Sequence, residues 1–271
     1  MSDLYAVFGN PIAHSKSPDI HHAFAAQTQQ NLVYEKRLPE LGGFADAVQQ
    51  LLADGGLGAN VTVPFKHDAY DLVDELSDLA QRAGAVNTIE VIENGKLKGH
   101  NTDGLGLVRD LTVNIGVELK GKRVLLLGAG GAARGVMQPL LAEDTAKLIV
   151  SNRTKEKGLQ LARDFGDCGF TCGTGFDELK DKPFDVIINA TAASLSGDVP
   201  PINPGVIAAE TVCYDMMYSN EPTAFLKWCA EQGATLLHDG LGMLVEQAAE
   251  AFAIWRGVRP DTQVVMAQMR P

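Results

Sequence analysis

Only four cysteines occur in 271 residues. The three-residue gap between Cys168 and Cys172 has no matching Cys/His pair, so neither a zinc site nor a disulfide framework is expected. All four read as reduced thiols of a cytosolic protein, with Cys213 in buried packing. Basic residues are also few: 23 Lys and Arg against 34 Asp and Glu leave a net charge of −11. No basic cluster offsets it, which excludes a nucleic-acid footprint. Any anionic ligand must therefore be held by a few placed groups. No apolar run approaches the ~20 residues of a membrane-spanning helix, and Met-Ser-Asp-Leu-Tyr5 lacks the basic stretch of a secretory leader. The histidines are scattered. His21 and His22 share a predicted helix without metal spacing, His67 stands at a helix start, and none has a triad partner, so no metal or nucleophilic chemistry is assigned. Repeats and low-complexity tracts are absent. The expectation is a soluble cytoplasmic protein, monomer or homodimer, with about two domains at ~150 residues each.

The first hundred residues alternate strand and helix patterns: strand 4–8, helix 19–29, strand 32–37, helix 44–53 and strand 58–63. That rhythm predicts an α/β domain with a largely parallel sheet. Segments 86–92 and 96–99 flank Asn94-Gly95, a hairpin signal, because this dipeptide tolerates the positive φ of a two-residue turn. A second α/β run has strands at 122–127, 147–151, 184–189 and 211–215. Residues 104–114 look like a linking helix. Leu241, Leu244, Val245, Ala248, Phe252 and Trp255 form one stripe of a long final helix. The predicted division is 1–102 with 238–271 as one domain and 103–237 as the other.

Gly128-Ala129-Gly130-Gly131-Ala132-Ala133 has the G-x-G-x-x-A form and lies between a strand and a helix. In that context the glycines let backbone approach a pyrophosphate, and the helix N-terminus offers N–H donors to it. A tight turn without a ligand is the competing reading. Strand 147–151 leads into Asn152-Arg153-Thr154, where an NAD enzyme places a carboxylate for the ribose 2′-hydroxyl. Arg153 instead presents a fork suited to a 2′-phosphate, so the position favours NADP over NAD.

Three polar blocks remain. Ser15 and Ser17 precede a helix; Ser17 suits an N-cap with Pro18 at N1, and the two hydroxyls equally suit a carboxylate. Asn60, Thr62 and Lys66 lie at and beyond a strand end, where open α/β sheets place ligands, although Lys66 alone reads as a solvated lysine. Asp103 could cap the helix beginning at Gly104, and Asn87 with Thr88 could stabilise a turn into the hairpin.

Taken in order and spacing, Gly9-Asn-Pro-Ile-Ala-His-Ser-Lys-Ser-Pro18, Asn60-Val-Thr-Val-Pro-Phe-Lys66, Gly84-Ala-Val-Asn-Thr88, Asn101-Thr-Asp-Gly104, Gly128 to Ala133, Asn152-Arg-Thr154, Tyr214-Asp-Met-Met-Tyr218 and Asp239-Gly-Leu-Gly-Met-Leu244 with Gln247 resemble the shikimate dehydrogenases over the whole chain. The resemblance implies an NADP-dependent enzyme interconverting 3-dehydroshikimate and shikimate, with a substrate domain, a Rossmann domain, and a final helix returning to the first. It implies that Ser15, Ser17 and Tyr218 hold the substrate carboxylate, that Asn60, Thr62, Asn87, Asp103 and Gln247 contact ring hydroxyls, and that Lys66 and Asp103 are the catalytic pair. Thr191, Met216, Gly240 and Met243 join the dinucleotide loop and residues 152–154 as cofactor neighbours. One block departs: where the family reads Asn-Ala-Thr-Ser and soon Gly, this chain has Asn189-Ala-Thr-Ala-Ala-Ser-Leu-Ser-Gly197. Ser in place of Gly limits positive φ, so a changed loop is expected there with activity retained. A quinate/shikimate dehydrogenase with dual substrate or NAD use, and a non-catalytic metabolite sensor on the same fold, are the alternatives.

Overall fold

A computed structural model describes residues 2–270, which form two compact units. Unit 1 runs to Gly106 and resumes at Val245–Arg270; unit 2 is Leu107–Leu244. Among the described residues no helix is long and apolar enough to cross a membrane.

Unit 1 contains β1 (Asp3–Phe8), α1 (Ser17–Gln27), β2 (Leu32–Arg37), α2 (Phe44–Ala53), β3 (Gly56–Val61), α3 (Lys66–Leu72), β4 (Glu75–Leu76), α4 (Asp78–Ala83), β5 (Thr88–Val91) and β6 (Leu97–His100). Its sheet has the order β2-β1-β3-β5-β6-β4. β1 pairs in parallel with β2 and β3, whereas β5 is antiparallel to both β3 and β6. Asn94 and Gly95 carry the expected positive φ, 62° and 73°, but the hairpin turns through three residues, Glu93–Gly95, closed by Ile92 N–H to Lys96 O at 2.8 Å, rather than through the two-residue turn expected. β1 is buried on both faces from Tyr5 to Phe8, because helices cover one side and the aromatic residues of 245–270 the other. Trp255 stacks on Tyr5 at 4.7 Å and donates Nε1–H to Ile89 O at 3.0 Å. Gly58 is required beneath it, since a Cβ there would lie 2.5 Å from the indole nitrogen.

After α5 (Asp103–Arg109), one turn at Asp110–Asn114 widens so that Ile115 N–H reaches Asp110 O, five residues back. Unit 2 continues with β7 (Arg123–Leu127), α6 (Gly131–Ala142), β8 (Lys147–Asn152), α7 (Lys155–Asp164), β9 (Thr171–Gly175), β10 (Val186–Asn189), β11 (Val212–Asp215), α8 (Ala224–Glu231) and β12 (Leu236–Asp239). All five pairings in the order β12-β11-β10-β7-β8-β9 are parallel, so strand order reverses between β10 and β7. The central strands show no apolar/polar alternation: Val124 to Leu127 and Val186 to Ile188 are almost wholly buried, as two helix-covered faces demand. The final segments are α9 (Leu241–Arg256) and α10 (Thr262–Met269).

Several boundaries differ from expectation. α1 begins at Ser17 with Lys16 in the cap position, so Ser17 is not the N-cap; Ser15 Oγ instead accepts Ser17 N–H at 3.3 Å. Asp103 is the first residue of its helix, and its carboxylate faces side chains elsewhere rather than capping. β5 is shorter than 86–92 because Val86 and Asn87 bond to Lys66 O and His100 O outside the regular ladder.

Candidate active site

Sheet order in unit 1 places a switch point between β1 and β3, and the segments that follow these two strands carry Ser15 and Thr62 in loops and Ser17 and Lys66 as the first residues of α1 and α3. Those loops approach closely: a Cβ on Gly9 would meet Thr62 Cγ2 at 2.5 Å. Ser15 and Ser17 hydroxyls are 3.2 Å apart, near enough for one carboxylate to accept from both. Thr62 is fixed by its backbone, donating to Phe8 O at 2.8 Å, while its hydroxyl makes no bond among the described residues.

Lys66 opens α3 and its Nζ donates to Asp103 Oδ2 at 2.5 Å, with the side chains 27% and 13% exposed. The other carboxylate oxygen accepts Asn87 Nδ2–H at 2.8 Å. Asn87 itself is held by Thr102 N–H donating to Oδ1 at 2.9 Å, and its Nδ2 also reaches Gln247 Oε1 at 3.5 Å. Lys66, Asp103, Asn87 and Gln247 therefore converge from the start of α3, the start of α5, the residue before β5 and α9. Such a half-buried ammonium, clamped by an oriented carboxylate, can deliver a proton to an oxygen placed beside it.

Asn60 is more enclosed. Its Oδ1 accepts from Tyr34 Oη at 2.7 Å and meets His21 Nε2 at 3.1 Å, and its Nδ2 donates to Thr88 Oγ1 at 3.0 Å and Asn87 O at 3.3 Å. Burial pushes the His21 imidazole down to about 3 and lifts the Tyr34 phenol far above its usual range, the latter opposed by a bond with Ser17.

Unit 2 carries the dinucleotide signature at its own switch point. Gly128 adopts φ +107°, open only to glycine, and packs against Ala190 and Thr191. Gly130 precedes α6, and a Cβ there would meet nothing within 4 Å, so protein packing does not explain this glycine. Among the described residues no side chain caps α6, so the N–H groups at its Gly131 and Ala132 end are open to an anion. Asn152 Nδ2 turns to Thr154 O at 2.8 Å. Lys155 pairs with Glu178 and Arg134 with Asp164, while exposed Arg153 has no partner among the described residues. The donor set thus fits an NADP 2′-phosphate. Ala129 completes the turn and packs on the unit's core.

The remaining predicted neighbours meet around β10 and β11. Thr191 N–H and Oγ1–H both bond Asn189 Oδ1, and Met216 N–H bonds Asn189 O at 3.0 Å. Gly240 lies against Met216, whose carbonyl oxygen would be 2.1 Å from a Cβ, and Met243 is buried in the adjoining core. The unusual loop is anchored by its substituted residue: Ser194 Oγ donates to buried Asp215 Oδ2 at 2.6 Å. Positive φ falls at Gly197, not at Ser194, so the exchange is accommodated. Tyr218 is a partly buried phenol of unit 2, shifted upward by burial.

Profiles from one family match most of the chain. The shikimate dehydrogenase substrate binding domain matches residues 7–89, shikimate / quinate 5-dehydrogenase 110–196, and the shikimate 5′-dehydrogenase C-terminal domain 240–270. The shikimate dehydrogenase (NADP(+)) of Dechloromonas aromatica is 58% identical over 270 residues, 100% of this chain and 98% of that protein. The chain belongs to the shikimate dehydrogenases. Among solved structures, the Ael1 enzyme from Pseudomonas putida superposes with a TM-score of 0.95 at 44% identity, covering 100% of this chain and 99% of the other. The ligand-free 5-ketofructose reductase of Gluconobacter sp. strain CHM43 gives 0.87 at 33%, covering 99% and 97%. Membership in the shikimate dehydrogenases bears out the expected family, two α/β domains and NADP-linked alcohol oxidoreduction. Sequence reasoning did not find roles for His21, Tyr34, Thr102 or Asp215. Asp215 sits in the Tyr214–Tyr218 block and was within reach of notice; His21 and Tyr34 look like ordinary core positions until Asn60 is placed beside them.

Proposed function

We propose that this chain catalyses the reversible NADPH-dependent reduction of 3-dehydroshikimate to shikimate, with Lys66 and Asp103 as the catalytic pair. The 2.5 Å ion pair between them carries the reading. NADPH, when bound at residues 128–132, 152–154, 191, 216, 240 and 243, supplies the hydride. Charge then develops on the carbonyl oxygen, and the Lys66 ammonium donates the proton that converts it to a hydroxyl. Asp103 Oδ2 holds that ammonium in place while Asn87 fixes Oδ1. Positioned acid catalysis of this kind is worth about 10²- to 10⁴-fold.

Ser15, Ser17 and Tyr218 bind the carboxylate, and Asn60, Thr62, Asn87 and Gln247 the ring hydroxyls. The 3.2 Å hydroxyl pair at Ser15 and Ser17 favours an anionic substrate over an uncharged ketose such as that in the Gluconobacter reductase's name. The functional division we infer is 1–106 with 245–270 for substrate and 107–244 for NADP, which keeps Asp103 with the substrate groups and Gly240 and Met243 with the cofactor groups, and the setting is cytoplasmic. Either a monomer or a homodimer is compatible with it.

Replacing Lys66 by Ala should lower kcat at least 10²-fold and change KM for shikimate only modestly. Near-normal kcat would remove Lys66 from the chemistry. Steady-state assays of shikimate and quinate, each with NADP and NAD, separate this activity from a dual-substrate enzyme, and silence in all four would indicate a sensor.

A further inference from the structure

We propose that His21 is a positioning residue: its Nε2–H starts a chain of hydrogen-bond donors running through Asn60, Thr88 and Asn87 that fixes the orientation of the Asp103 carboxylate. The proposal rests on Lys66 and Asp103 being the catalytic pair. Every link lies in unit 1: His21 Nε2 to Asn60 Oδ1 at 3.1 Å, Asn60 Nδ2 to Thr88 Oγ1 at 3.0 Å, Thr88 Oγ1 to Asn87 Oδ1 at 3.0 Å, and Asn87 Nδ2 to Asp103 Oδ1 at 2.8 Å.

Two backbone groups determine which way each link points. Asn87 O can only accept, so the Asn60 amide must turn its nitrogen towards it and its oxygen towards His21 and Tyr34. His21 must then carry its proton on Nε2. Thr102 N–H can only donate, so Asn87 turns Oδ1 to it and Nδ2 to Asp103. Thr88, between an amide N–H and an amide oxygen, accepts from Asn60 and donates to Asn87. Reversing any one amide would set like poles against each other at a backbone group.

The imidazole is suited to begin such a chain. It is fully buried, stacked on Tyr34 at 4.3 Å and 6°, and flanked by Phe24, Phe252 and Trp255. Nδ1 has no hydrogen-bond partner among the described residues, which is a cost a purely space-filling residue would not carry. Burial keeps the ring neutral, so one N–H is offered to Asn60 at every working pH. Aligned donors also polarise one another, and the last of them acts on the carboxylate that holds Lys66.

His21→Leu and Thr88→Val should each lower kcat about tenfold with KM for shikimate and for NADP changed less than about threefold, the scale of one hydrogen bond in a catalytic network. His21→Gln, whose Nε2 can take the imidazole donor's place, and Thr88→Ser should recover kcat to within about threefold of the parent. The His21→Leu, Thr88→Val double variant should be no slower than the slower single, because both cut one chain. Multiplying effects, or no recovery with Gln and Ser, overturns the proposal. If His21→Leu does not fold, the Thr88 pair carries the kinetic arm. Independently, ¹⁵N-histidine spectra of the full-length protein should show His21 as the Nε2–H tautomer from about pH 5 to 9; an Nδ1–H tautomer overturns it. Full activity in Lys66→Ala would instead defeat the catalytic assignment while leaving the tautomer result intact.

Discussion

Acid should loosen this protein through His21 before most carboxylates titrate. The ring is neutral in the folded state, with its value near 3, and free to bind a proton near 6.5 once unfolded. A lowered folded value on a histidine means that acid favours the unfolded chain: the contribution is complete above about pH 6.5 and shrinks by about 1.4 kcal/mol per unit down to about pH 3. Between pH 8 and pH 5 the loss is about 2 kcal/mol. His100, lowered chiefly by burial, acts in the same direction. Asp54 and Glu178, lowered by Arg37 and Lys155, act at lower pH, because their unfolded values are 3.8 and 4.5. Urea unfolding at pH 8 and pH 5 should show His21→Gln losing about 2 kcal/mol less than the parent, with His100 common to both. Equal losses would mean that His21 is protonated or hydrated in the folded state, contrary to its burial.

Arg153→Ala should raise KM for NADP about 10- to 100-fold and leave NAD use nearly unchanged, since charge-assisted bonds of about 1.5–3 kcal/mol would be lost to the 2′-phosphate alone. Equal loss with both cofactors would contradict that role. Arg259 holds Glu246 at 2.8 Å and also pairs with Glu250, and the Glu246 side chain is 0% exposed. Arg259→Leu should therefore cost about 3–5 kcal/mol of stability, readable as a lower urea midpoint, because a buried carboxylate loses its cation. An unchanged midpoint would show that Thr262 and the neighbouring groups suffice for Glu246.

Legibility follows the range of the interactions. β2 and α2 match their expected limits because alternation and a helical stripe are local patterns. The Asn94-Gly95 turn is equally plain. By contrast β9, Thr-Cys-Gly-Thr-Gly, and the four-residue β12 leave little trace in the sequence: both are edge strands with weak propensity, formed because a neighbour is already in place. The two-residue β4 is similar. In the site, Gly128 to Ala133 is readable since a strand, a turn and a helix follow one another there. Lys66 and Asp103 are 37 positions apart and gain meaning only from the blocks around them. His21 reads as an ordinary helical histidine, because nothing local reveals that α1 and β2 bring His21 and Tyr34 to the same amide oxygen. Ser194 shows the reverse: by φ alone it is disruptive, yet its hydroxyl is taken up by Asp215.

The return of Val245–Arg270 to unit 1 has a consequence for biosynthesis. Tyr5, His21, Phe24 and Tyr34 are covered by Phe252 and Trp255, which a ribosome makes only after the whole of Leu107–Leu244. At ~5–20 residues per second the early segment waits on the order of 10 s with its aromatic face uncovered, a window in which chaperones or misassembly compete for it. Unit 2, continuous in sequence, faces no such delay and can close its parallel sheet first.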